Sequence, residues 1–312
     1  MVEHLSRKVG QEFINEKENF EALCSVIGKV QDRYAEILAI RGRPNFGNRL
    51  NNQRLDELVP QVMQEVHQFL GVEKPVKDPK LSLFWLPSAV YRAGKDGCLV
   101  ADLGIAGSLI AGITRVIAFN SSGTEILIGG ALSIGVGTLA AGASFASNLK
   151  DSWKSSNYDP WGEKITIGDK RESVAVQILS HEYTHHLQRQ IWGISRMLDT
   201  FWLAEGHARG VQQHVSHSFA EAAENPAYEL LTLKMILPEL KKAYVGACKS
   251  IGVRPAASLM NSRGGDRVLD PRVAMGHKTR GIGLAVFSIV EEKGGLDVYK
   301  DALKGDFSFL SK

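Results

Sequence analysis

The chain has 312 residues, 44% of them hydrophobic and 23% charged, the balance of a folded globular protein with a substantial core. Its 37 Lys+Arg against 34 Asp+Glu leave a formal charge of +3, and no long basic run supplies the electrostatic footprint of a nucleic-acid binder. Cys24, Cys98 and Cys248 are too scattered for a disulfide framework or a metal-spaced pair, and the first eight residues lack the apolar run of a secretory signal, so a reducing compartment is expected.

Residues 1–78 read as an N-terminal helical region. Phe13, Phe20, Leu23, Ile27, Val30, Tyr34, Ile37 and Leu38 recur at helical spacing. After the polar, Gly/Pro-containing break 41–52, a second helix is expected from about Leu55 to Leu70, with Leu58, Val62, Val66 and Leu70 on one face. Residues 72–80 read as a linker, and 81–93 as extended, strand-prone sequence rich in aromatic and β-branched residues.

The stretch 98–148 is apolar and rich in glycine and alanine, and 126–147 carries no charge. Gly129, Ser133, Gly137 and Ala141 recur every fourth residue, as do Gly104, Ser108 and Gly112, a spacing that lets helix backbones approach closely in a membrane. One reading is a membrane hairpin over 101–147. Arg92, Lys95, Lys150 and Lys154 flank its ends and would place the rest of the protein on the cytoplasmic face of the membrane. The other reading is a buried hairpin in a soluble cytoplasmic protein, favoured by Asp102, Arg115 and the diluting glycines.

A short strand at 164–167 follows, with an edge along which an extended substrate could pair. Asp169 and Glu172 make a capping-box pattern for a helix that places Val174, Ile178, His181, His185 and Gln188 on one face. That helix carries His-Glu-Tyr-Thr-His at 181–185. Histidines four apart project side by side and can share one zinc ion, while Glu182 faces a metal-activated water whose proton it can accept. His186 points about 100° away around the helix and is not expected to join them.

Downstream, Phe201-Trp-Leu-Ala-Glu-Gly-His-Ala follows at a distance of about twenty residues. A second helix with Trp-x-x-Glu-Gly-x-Ala after His-Glu-x-x-His resembles the gluzincin metallopeptidases, the group that contains thermolysin and the membrane alanyl aminopeptidases. The resemblance spans about 164–215, and it implies that Glu205 is the third zinc ligand beside His181 and His185, with Glu182 as general base and acid. It departs from the family at position 209, where Arg stands in place of an Asp that supports a ligand histidine; Asp199 is the candidate substitute. The family's downstream oxyanion-stabilising Tyr or His has no Tyr counterpart in Gly276-His-Lys-Thr-Arg-Gly, which leaves His277 and Arg280, with Tyr228 more remote. His207, His214 and His217 read as polar surface or satisfied interior residues, and Arg209 and Glu172 as local pairing or capping groups.

Further helices are expected over 226–252 and 280–303, separated by a Pro/Gly/Arg-rich loop. The expected class is α+β: a mostly helical zincin-like domain from 79–97 and 149–312 with a short sheet, an N-terminal helical region at 1–78, and the apolar hairpin at 98–148. The expected function is zinc-dependent hydrolysis of peptide bonds in a protein or peptide substrate. The alternative is a glycine-zipper membrane or assembly protein with a non-catalytic zinc site.

Overall fold

The computed structural model describes residues 7–40, 47, 50–73, 77–83, 157–167, 171–260 and 278–311. The stretch 98–148 lies outside the described residues, and among the described ones no helix is long and apolar enough to cross a membrane. One compact unit comprises Met1–Leu81, Asn157–Ile165 and Lys170–Lys312; a second comprises Ser82–Ser156 and Thr166–Asp169. The N-terminal helices therefore belong to the same unit as the His-Glu-x-x-His helix.

The architecture is α+β and mostly helical. Helix α1 (Arg7–Asn15) and α2 (Lys17–Ala39) are distinct, because Glu16 is extended and the Asn19 side chain donates to the Phe13 carbonyl at 2.9 Å across the break. The α2 stripe of Leu23, Ile27, Val30, Tyr34 and Ile37 is buried, chiefly against the later helix α7 (Ala227–Ile251), whereas Leu38 turns out to solvent. Helix α3 (Asn52–Leu70) starts three residues ahead of its apolar pattern: Asn51 caps it by accepting from the Arg54 amide at 2.8 Å, a contribution of about 1 kcal/mol. Gly71 ends it in the left-handed conformation.

Strands β1 (Lys80–Leu83), β2 (Asn157–Asp159) and β3 (Lys164–Ile167) form a sheet in the order β1-β3-β2. The expected free edge along 164–167 does not exist, because β3 is the central strand and has a neighbour on each side. Beyond Leu83 the expected extended segment to residue 93 lies outside the described residues.

Helix α4 (Glu172–Trp192) carries the histidine motif and begins at Glu172, so Glu172 does not complete a capping box. Its carboxylate is instead held by Arg54, through Nη2 at 2.5 Å and Nε at 3.2 Å, and by the Tyr228 hydroxyl at 3.0 Å. This joins α3, α4 and α7 at one point. Helices α5 (Ile194–Asp199) and α6 (Phe201–Ala222) follow, then α7, the short α8 (Ala257–Met260), α9 (Lys278–Gly294), α10 (Asp297–Leu303) and a 3-10 turn at Ser308–Ser311.

Helices α4, α6 and α9 form a stack, with α6 in the middle. The α6–α9 crossing is backbone on backbone. A Cβ on Gly206 would collide with the Gly283 backbone, and one on Gly283 with the Trp202 carbonyl. One turn on, Gly210 accommodates the Tyr299 ring of α10. Gly283→Ala should therefore cost about 2 kcal/mol or more by overpacking. Gly28→Ala in α2, where the added methyl meets open space, should instead stabilise by about 0.5–1 kcal/mol. Urea unfolding of the two variants checks the contrast.

The Glu172 carboxyl sits below its usual range, first through the hydrogen bond from Arg54 and then that from Tyr228, against the opposing effect of burial. A depressed folded-state pKa adds stability above the unfolded value that is lost as pH falls through the folded value. Glu172→Gln should be less stable than the native protein by about 1–3 kcal/mol at neutral pH, with the gap closing below about pH 4. Denaturation midpoints across an acid pH series measure it.

Candidate metal centre

Helix α4 is covered on more than one side, so its polar residues as well as its apolar ones are buried, and each needs a partner. Gln177 donates to the Tyr228 carbonyl at 2.9 Å, Ser180 to the Gln177 carbonyl at 3.0 Å, and Thr184 to the Ser180 carbonyl at 2.7 Å. His181 and His185 face α6, which brings Glu205 opposite them.

The three side chains converge. His181 Nε2 and His185 Nε2 are 3.2 Å apart, Glu205 Oε1 is 3.3 Å from His185 Nε2, and Glu205 Oε2 is 3.8 Å from His181 Nε2. All three residues are buried, and their ligand atoms lie within 4.8 Å of one another. Tetrahedral ligation at roughly 2.0–2.2 Å separates ligand atoms by roughly 3.3–3.6 Å. The spacing thus fits a single metal ion, and the group can hold one.

Electrostatics give the same reading. Burial depresses the His185 pKa, but the hydrogen bond and charge of Glu205, aided by Glu182, outweigh it, and the net shift is upward.

Glu182 lies on the neighbouring face and is only half-buried. Its Oε2 accepts from the Tyr158 amide of β2 at 2.8 Å, and desolvation is the main cause of its raised pKa. The Tyr158 hydroxyl meets His186 Nδ1 at 3.1 Å, while His186 Nε2 lies 2.7 Å from the Lys77 carbonyl. Glu182 and His186, one turn apart, thus hold Tyr158 at both ends. Burial lowers the His186 pKa, and the ring acts as a neutral bridge between α4 and residues 77 and 158.

The other expected residues fall as follows. Asp199 is exposed at the end of α5 and cannot support a buried histidine; Gln188 does so, with Oε1 2.8 Å from His185 Nδ1. Gln188 lies on the metal-facing stripe of α4, and only its place three residues after His185 marks it in the sequence. His207 is fully buried, and burial pushes its pKa down to about 4. His214 pairs with Glu291 at 3.1 Å, and His217 with Glu221 at 3.2 Å and Glu229 at 3.4 Å. Arg209 donates to Gln212 at 2.8 Å and lies 3.9 Å from Glu239. Tyr228 is engaged with Glu172. His277 lies outside the described residues, as does the side chain of Arg280.

A groove of about 630 Å³ between α3 and residues 71–73 and 78–81, lined by Val59, Met63, His67, Val72 and Leu81, contains none of the three candidate ligands. No protein-family model, curated protein or solved structure matches the chain.

Removing a ligand, as in His181→Ala or Glu205→Gln, should weaken metal binding by about 100-fold or more. Binding by the native protein should also weaken as pH falls, since a proton on His185 blocks its lone pair and the His185 pKa is raised. Competition titrations of zinc against a chelator from pH 8 to 5.5 measure both effects.

Proposed function

We propose that the protein is a zinc-dependent peptidase with a zincin-like catalytic unit, in which His181, His185 and Glu205 hold the metal and Glu182 moves the proton. The observation that carries this reading is the position of Glu182. It adjoins a ligand histidine, half-buried beside a converged His-His-Glu group, with one carboxylate oxygen fixed by a backbone amide.

Two imidazoles and one carboxylate are a donor set for catalytic zinc, leaving a position for water or substrate. Bound there, the ion supplies Lewis acidity that polarises a peptide carbonyl and acidifies a water molecule. The chain's own residues supply the rest. The Tyr158 amide occupies Oε2 of Glu182 and aims the carboxylate, leaving Oε1 for proton transfer. A carboxylate whose pKa is raised by desolvation accepts a proton more readily at neutral pH than an exposed one. Glu182 takes the proton of the attacking water and returns it to the amine nitrogen as the peptide bond breaks. His186, anchored to Lys77 and Tyr158, keeps β2 against α4 and so keeps that amide in place.

The test is digestion of an unbiased peptide library by the purified protein, with metal content measured on the same sample. Stoichiometric zinc and cleavage are expected. Glu182→Gln should keep its zinc and lose roughly 10²–10⁴-fold in cleavage rate. Undiminished cleavage by that variant, or iron in place of zinc, overturns the reading.

A further inference from the structure

The hydrogen bonds behind His185 run in one direction only. The Ala204 carbonyl can only accept, so the Gln188 side-chain amide must present Nε2 to it, at 3.0 Å. The amide oxygen Oε1 then faces His185 Nδ1 at 2.8 Å, and as an acceptor it requires a proton on that nitrogen. The second Nε2 hydrogen of Gln188 points to His207 Nδ1 at 3.0 Å, which must be the unprotonated nitrogen of that ring. His207 therefore carries its proton on Nε2, which lies 2.9 Å from the Tyr299 carbonyl, again an acceptor only. Gln188 and His207 are fully buried, so no water can substitute for a reversed partner. Both branches end on backbone carbonyls, one of α6 and one of α10, and neither can be inverted.

We propose that Gln188 is a positioning residue that fixes His185 with its proton on Nδ1 and so reserves its Nε2 lone pair for the metal, while His207, held by the Tyr299 carbonyl of α10, fixes Gln188 in turn. The proposal rests on His185 being a metal ligand. The role belongs to a residue three positions from the ligand on the same helix, so α4 supplies two ligands, the base and the orienting group. Helix α10 is drawn into the same assembly although it contributes no ligand, because a shift of residue 299 would remove the acceptor that defines the His207 ring.

Two measurements test this. Gln188→Met keeps the length of the side chain and removes both its donor and its acceptor. Zinc binding by the folded variant, titrated against a chelator, should weaken roughly 10–100-fold relative to the native protein. An affinity within twofold of native overturns the proposal. The second measurement needs no variant, and decides the matter if Gln188→Met does not fold. In ¹⁵N–¹H spectra of the native protein, His207 should carry its proton on Nε2 with or without zinc, and zinc-loaded His185 should be protonated on Nδ1 and ligated through Nε2. His207 protonated on Nδ1, or His185 ligated through Nδ1, overturns the proposal. If the native protein binds no zinc, it is the metal reading that fails, and the His207 tautomer still decides whether Gln188 is oriented as described.

Discussion

Glu205 keeps only 5% of its side chain exposed, and the groups opposite it are two imidazoles that are themselves buried. An isolated carboxylate at that depth would cost several kcal/mol, a cost that a cation held between α4 and α6 would offset. Against the opposing effect of burial, the hydrogen bond and charge of Glu205 raise the His185 pKa. A divalent ion would offset the same cost with fixed geometry. The contact of α4 with α6, the burial of Gln188 and the depth of Glu205 thus meet at one electrostatic problem.

The Glu-Gly pair of the second helix joins this constraint to the rest of the packing. Glu205 and Gly206 are neighbours, so they point about 100° apart on α6. One reaches towards α4; the other has no side chain and allows α9 to lie against the backbone, with Gly283 as its counterpart. A methyl group on either glycine would push α9 away from α6 and disturb the wall that holds Glu205. The helix thus has a chemical side and a contact side, and the motif Trp-x-x-Glu-Gly contains one residue for each. On α4, positions 181, 185 and 188 turn towards α6 and His186 meets β2 through Tyr158, while Glu182 is engaged by the Tyr158 amide through one oxygen only.

Much of this was legible in the sequence, because it depends on local periodicity. The i, i+4 histidines, the helix at 201–222 and the stripes of α2 and α3 follow from helical spacing. What spacing could not convey is partner choice across the chain. Glu172 looked like a capping residue because Asp169 stands three positions before it, yet Arg54, 118 positions away, takes its carboxylate. Asp199 stood as a candidate to support a ligand histidine in place of the Asp missing at 209, but its exposure excludes it, and the neutral Gln188 stands behind His185 instead. The strand at 164–167 was recognisable as a strand but not as the centre of its sheet, since sheet order depends on β1, more than eighty residues earlier.

The choice of an amide behind His185 has an electrostatic consequence. A carboxylate in that place would make the imidazole more basic and add a second negative charge beside Glu205. With Gln188 the three donors carry one negative charge in total, so a divalent ion held by them keeps a net positive charge. Arg209, where the resembled family has an Asp, acts in the same sense, since its guanidinium exerts an attraction on Glu182 that opposes the rise in that carboxyl's pKa. Both residues make the surroundings of the site less negative than carboxylates in their places would. A metal bound there as proposed would be held less tightly than one backed by carboxylates, and would be the stronger electrophile. In a metal centre of the kind proposed, an amide behind His185 would therefore favour electrophilicity over metal retention.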